Sequence, residues 1–178
     1  MGALLVNVAP LIGVLAWGWK GGALVVLYWL ENLVVGVINI ARMAASGAAN
    51  GPGGLGAVAL LVPFFCVHYG LFCFVHGMFV MLLFARESGF DSLDAQALLS
   101  AALNVAPHMG IVIGIIAAWK AALFVLVFLR EGEYRRTNPM ELFAAPYSRI
   151  IFIHIAIFAG AFALMALGEP IVGVIALV

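Results

Sequence analysis

Charged side chains are scarce in this sequence: 9% of its 178 residues are Asp, Glu, Lys or Arg, against about a quarter in a water-soluble protein. Hydrophobic residues make up 66%. Too few polar groups exist to cover a soluble surface, so lipid must cover much of it. An excess of one sign is missing as well. Eight acids balance eight bases, and without a clustered basic excess the chain has no footprint for nucleic acid. Cysteine is limited to Cys66 and Cys73. Seven residues of one helix separate them by about 10 Å, beyond the roughly 7 Å that a disulfide tolerates between Cα atoms. No Lys or Arg precedes the first apolar run, and no small-x-small cleavage site precedes Trp17. The N-terminus therefore reads as a retained helix, not a signal peptide. Nucleophile-elbow and phosphate-loop patterns are absent, which disfavours serine hydrolase and nucleotide chemistry. No internal repeat or second domain is evident.

What the chain has instead is long apolar runs. A spanning helix takes about 20 apolar residues, and five spans are predicted: 3–19 (interrupted by Pro10), 23–45, 55–85, 109–129 and 149–167. Lys20-Gly21-Gly22 reads as a turn and the Gly/Ala/Asn/Pro-rich tract 46–56 as a loop. The third run is longer than a span needs, so it tilts or breaks near Pro63. Asp91 and Asp94 mark a helix start, and Leu98, Leu99 and Leu103 give an apolar stripe. Both point to an interfacial helix ending at Pro107. Asn138-Pro139-Met140-Glu141 opens a short surface helix that Pro146 stops. Gly168-Glu169-Pro170 breaks the last span, leaving an apolar tail over 171–178 too short to cross. The expected fold is all-α: one membrane domain over 1–178, a polytopic bundle of about five transmembrane helices with short interfacial ones.

Orientation follows from Lys and Arg near helix ends. One side carries Arg42, Arg130, Arg135, Arg136 and Arg149; the other carries Lys20 and Arg86. That asymmetry puts the N-terminus and the Arg-rich 130–149 loop in the cytoplasm, with Trp17, Trp19 and Tyr147 near the interfaces.

Ionisable groups inside a bilayer are costly and so mark functional candidates. On the second run Tyr28, Glu31, Asn32, Asn39 and Arg42 fall within an arc of about 100°. The third run carries His68, Tyr69, Cys73 and His76, the fourth Lys120 and the fifth His154. From helix centres the expected order of depth, outside to inside, is His76, Glu31, Asn32, then Lys120 with His68, then Asn39 with His154, then Arg42. Glu31 and Lys120 read either as a structural ion pair or as a proton carrier or ligand with its counter-ion. His68 and His76 read either as interhelical hydrogen-bonding groups or as ligands. Their spacing of eight misses the four-residue spacing of zinc helices. Asn32 and Asn39 read as register-fixing groups between helices, Cys66 and Cys73 as small packers, and Gly36, Gly70 and Gly77 as points of close helix approach.

The runs Tyr28-Trp29-Leu30-Glu31-Asn32, His68-Tyr69-Gly70 with His76-Gly77, Glu133-Tyr134-Arg135-Arg136, and Pro146-Tyr147-Ser148-Arg149 with His154 resemble a bacterial multi-pass membrane family of unknown function. The resemblance covers the second to the fifth span. It implies an inner-membrane location and that Glu31, Asn32, His68, His76 and His154 belong to the family pattern. It implies no activity.

Three functions stay open. The first is an intramembrane metal site, structural or hydrolytic, with Glu31, His68, His76 and His154 as ligands, and Tyr28, Asn32, Asn39, Tyr69, Cys73 and Lys120 lining it. Zinc suits such mixed nitrogen and carboxylate donors. The second is a small proton- or ion-coupled transporter or relay, which at this size calls for a homo-oligomer. The third is a structural membrane subunit whose polar groups only hold helices together.

Overall fold

The computed structural model describes residues 2–84 and 94–167, and those residues fold as helices joined by short turns. In chain order they are α1 (Gly2–Trp17), α2 (Gly21–Ala49), α3 (Gly51–Phe84), α4 (Ala95–Leu103) and α5 (Met109–Leu123), which runs on as a π-helix over Phe124–Arg130. A 3-10 turn, Glu133–Arg135, then leads into α6 (Pro139–Leu167). Three of these helical stretches, Gly21–Ala49, Gly51–Phe84 and Met109–Arg130, are long and apolar enough to cross a membrane. Their outer faces carry bare aliphatic side chains such as Val37, Leu60 and Val67, as contact with lipid requires.

Only Asn50 separates α2 from α3. Both its backbone N–H and its side-chain Nδ2 donate to the Ser46 carbonyl, at 3.1 and 2.8 Å, which closes α2. Gly51 then turns the chain with a positive φ of 69°. The 46–56 tract expected as a loop is therefore helix on both sides of one residue. Pro52 fits because it stands in the first turn of α3, where its missing N–H has no intrahelical partner to lose. α4 begins where expected: the Asp94 carboxylate accepts from Ala97 N at 2.9 Å as an N-cap. Asn138 Oδ1 likewise accepts from Met140 N at 2.9 Å and starts α6.

α2 is the centre of the bundle and runs antiparallel to α3 in a long contact fixed by two reciprocal pairs. The Trp29 indole lies on Gly77, and its Nε1 donates to the Cys73 carbonyl at 2.8 Å. The Tyr69 ring lies on Gly36, and its hydroxyl donates to the Asn32 carbonyl at 3.0 Å. In each pair the glycine stands four residues after the accepting carbonyl, so an aromatic ring lies flat on one helix turn and bonds to the carbonyl at its far end. A Cβ at either glycine would overlap the ring. Gly70, by contrast, faces open space.

α3 and α6 run parallel. His68 meets Tyr147 at 2.9 Å, and two turns on His76 meets His154, ring centres 3.9 Å apart. At the far end Trp19 is buried and its Nε1 donates to the Pro107 carbonyl at 3.0 Å, while Trp17 packs on the His108 ring at 4.9 Å.

α3 continues through Pro63 without the break that is one of the two expectations there, and α6 continues through Pro146, the expected stop of a short surface helix. For Pro146 the reason is visible. A helical proline leaves the carbonyl four residues earlier without its donor. Here that carbonyl is Leu142 O, and Asn39 Nδ2 of α2 donates to it at 2.8 Å. Ser46 Oγ of α2 adds a bond to the Thr137 carbonyl just before α6. The Arg86, Asp91, Gly168–Pro170 and 171–178 features lie outside the described residues.

This exchange predicts a double-mutant signature. Asn39→Leu strands the Leu142 carbonyl and lowers unfolding free energy in detergent by about 1–3 kcal/mol. In a Pro146→Ala background, where the new backbone N–H can serve that carbonyl, the same substitution costs less than half as much. Equal losses in both backgrounds, measured by thermal unfolding, would refute the account.

Candidate functional site

Polar side chains in the core fall into pairs, each spanning two helices. Glu31 of α2 is buried and pairs with Lys120 of α5, Oε1 to Nζ 2.9 Å. Asn32 Nδ2 points to Cys73 Sγ of α3 at 3.6 Å. Its Oδ1 is buried with no partner among the described residues. Asn39 bonds to the Leu142 carbonyl of α6. Tyr28, expected to line the site, is 38% exposed, as a residue on α2 facing outward from the bundle.

His76 is buried between α3 and α6. Its ring stands edge-to-face with that of His154, at 79° between planes. Phe72, one turn before His76, stacks on it at 3.9 Å and reaches His154 at 4.4 Å. The Nδ1 atoms contact the carbonyls four residues earlier on their own helices, His76 to Phe72 O at 2.9 Å and His154 to Ile150 O at 3.3 Å. A carbonyl only accepts, so these contacts require Nδ1–H. Two imidazolium ions at this spacing would repel by about 4 kcal/mol at an effective dielectric of 20.

The four residues expected to share a metal are thus brought together only in part. His76 and His154 converge. His68 is exposed, two turns away, between Tyr147 and the Phe64 ring at 5.4 Å. Glu31 engages Lys120 on another side of α2. Among the described residues no group of three or more His, Cys, Asp or Glu side chains is arranged to hold a metal ion. Cys66 and Cys73 are both free thiols.

The depth order is corrected too. The sequence places His154 level with Asn39, but α6 begins at Pro139, ahead of the predicted span. Leu142 is the residue level with Asn39, and His154 lies about 18 Å farther along the helix. Trp29 against Gly77 and Asn32 against Cys73 set Glu31 and His76 within about one turn of each other in depth. Two residues central to this arrangement escape the sequence reading. Tyr147 reads there as an interfacial anchor, although its spacing from His154 nearly matches that of His68 from His76. Phe72 carries no polar group that would single it out in the sequence.

A model of a protein family described as a family of unknown function (DUF6498) matches residues 1–178. No curated protein and no solved structure matches the chain.

The Glu31–Lys120 pair carries its own test. Removing one partner leaves an uncompensated buried charge, at a cost of about 3–5 kcal/mol, whereas removing both leaves none. Glu31→Gln and Lys120→Met each lower the thermal midpoint in detergent, and the combined variant recovers most of the loss. Additive losses would show that the two charges do not depend on each other.

Proposed function

Because the chain belongs to the family of unknown function DUF6498, which supplies no activity to inherit, we propose from its membrane-embedded polar groups that it is a small integral membrane protein that relays or couples protons. The observation that carries this reading is the His76–His154 pair: two imidazoles from different helices, ring centres 3.9 Å apart, in an otherwise apolar bundle. Helix-to-helix hydrogen bonding alone does not need two titratable rings on each other. Two imidazoles in contact, which mutual repulsion keeps from both being charged, have the chemistry of a proton carrier. Glu31 and Lys120 form the fixed-charge pair at a similar depth. In this reading the chain crosses the bilayer about five times, with the Arg-rich 130–149 stretch on the cytoplasmic side.

The metal reading competes through the same residues. A histidine ligand commonly donates its second nitrogen to a backbone carbonyl, as His76 and His154 do, yet a metal would need donors beyond these two.

Reconstituted vesicles under an imposed pH gradient, with a trapped pH dye, separate the possibilities. Proton flux above that of empty vesicles is expected, falling about tenfold or more in His76→Phe and His154→Phe and unchanged in His68→Ala. Flux indifferent to both core histidines sinks the relay. Near one equivalent of bound metal by elemental analysis, lost in His76→Ala, would put a metal site in its place.

A further inference from the structure

A cavity of about 420 Å³ lies between α2, α5 with the π-helix that continues it, and α6. Its walls are mostly aliphatic and aromatic. Four polar side chains reach it: Asn39, Arg42, Lys120 and Glu133. Their states differ. The Asn39 amide is engaged with Leu142. Lys120 is neutralised by Glu31. Glu133 is exposed and stands where the chain turns into α6, so water solvates its carboxylate. Arg42, half-buried, is a cation lining the cavity with no carboxylate partner among the described residues. Its guanidinium lies over the Phe128 ring, 4.5 Å from the centroid, and its Nε is buried with no hydrogen-bond partner among the described residues.

The walls explain why the cavity exists. A π-helix adds a residue to the turn and displaces the side chains after it. Here the wide turn covers Phe124–Arg130, and Phe124, Val127 and Phe128 line the space. Pro146, which lacks an N–H, forms part of the opposite wall.

A guanidinium without a carboxylate partner, lining a mostly apolar chamber, is complemented by an anion with an apolar body. We infer that this cavity binds an amphipathic anion, a carboxylate or phosphate carried on a hydrocarbon body, with Arg42 holding the acidic group. Guanidinium forks match both anions in two-point hydrogen bonds, and the aliphatic wall buries the tail. The inference stands apart from the proton relay, since it uses neither histidine.

The anion has two possible sources, a membrane phospholipid or a free fatty carboxylate. Native mass spectrometry of the protein released from a neutral maltoside detergent distinguishes them. Phosphatidylglycerol is compared with phosphatidylcholine, and laurate with dodecanol, each at matched concentration. At least one anionic probe is expected to be retained about tenfold more than its neutral counterpart, a difference worth about 1.4 kcal/mol. Retention of phosphatidylglycerol alone identifies a lipid site; retention of laurate identifies a site for free amphiphilic acids. The preference disappears in Arg42→Gln and survives in Arg42→Lys. Should Arg42→Gln fail to fold, Val127→Trp, which fills the cavity without touching a charge, abolishes the adduct. Equal retention of charged and neutral probes, or adducts that survive both Arg42→Gln and Val127→Trp, overturns the proposal.

Discussion

Hydrocarbon offers no hydrogen bonds, so every polar group carried into it must meet another polar group of the protein. The α2–α3 contact is where this constraint acts first. Trp29 and Tyr69 each bring an apolar ring with one donor. Each lays the ring on a glycine of the opposite helix and gives the donor to a backbone carbonyl that already serves its own helix. Ring burial and hydrogen bonding are satisfied in one movement, and the pairs are reciprocal, so sliding α2 along α3 breaks both at once. Every other register in the bundle follows. With Trp29 on Gly77, Asn32 meets Cys73, and His76 is turned toward α6.

The helix carbonyl is the common acceptor throughout. Trp29, Tyr69, Asn39, His76 and His154 all contact backbone oxygen, three across a helix boundary and two on their own helix. A second bond to a helical carbonyl needs no extra polar side chain in the membrane. That economy explains how so few polar residues hold the helices in one arrangement. It also explains how Pro146 persists inside α6. The proline removes a donor at the level where α2 presents Asn39, and the two departures from an apolar regular helix cancel.

Composition alone makes the membrane class and the helical fold legible, and the caps at Asp94 and Asn138 are visible as local chemistry. The Glu31–Lys120 pair is also foreseeable, because opposite charges in an apolar bundle seek each other. What stays hidden depends on register. Reading Pro146 as a stop starts the last long helix about three turns late and puts His154 beside Asn39 instead of His76. The spacing of eight between His68 and His76 looks wrong when it is compared with a single-helix metal motif. Its meaning lies in the partner helix, where Tyr147 and His154 repeat nearly the same interval. A one-chain pattern does not reveal which helix supplies the second half.

The same logic separates the polar groups into three kinds of environment. Between α3 and α6 two imidazole rings lie against each other. Between α2 and α5 lies a closed ion pair, whose charges cancel and whose role is to hold α5 to α2. Toward the Arg-rich end, the wide turn of the π-helix brings the Phe128 ring against the Arg42 guanidinium but, among the described residues, no carboxylate. One helix, α2, therefore presents a neutralised charge and an uncompensated one a few turns apart. The difference between them lies less in the residues of α2 than in the winding of the helix that faces it. Had Phe124–Arg130 continued as a regular α-helix, its side chains would be re-aimed relative to Arg42, and the chamber beside the guanidinium would have a different lining.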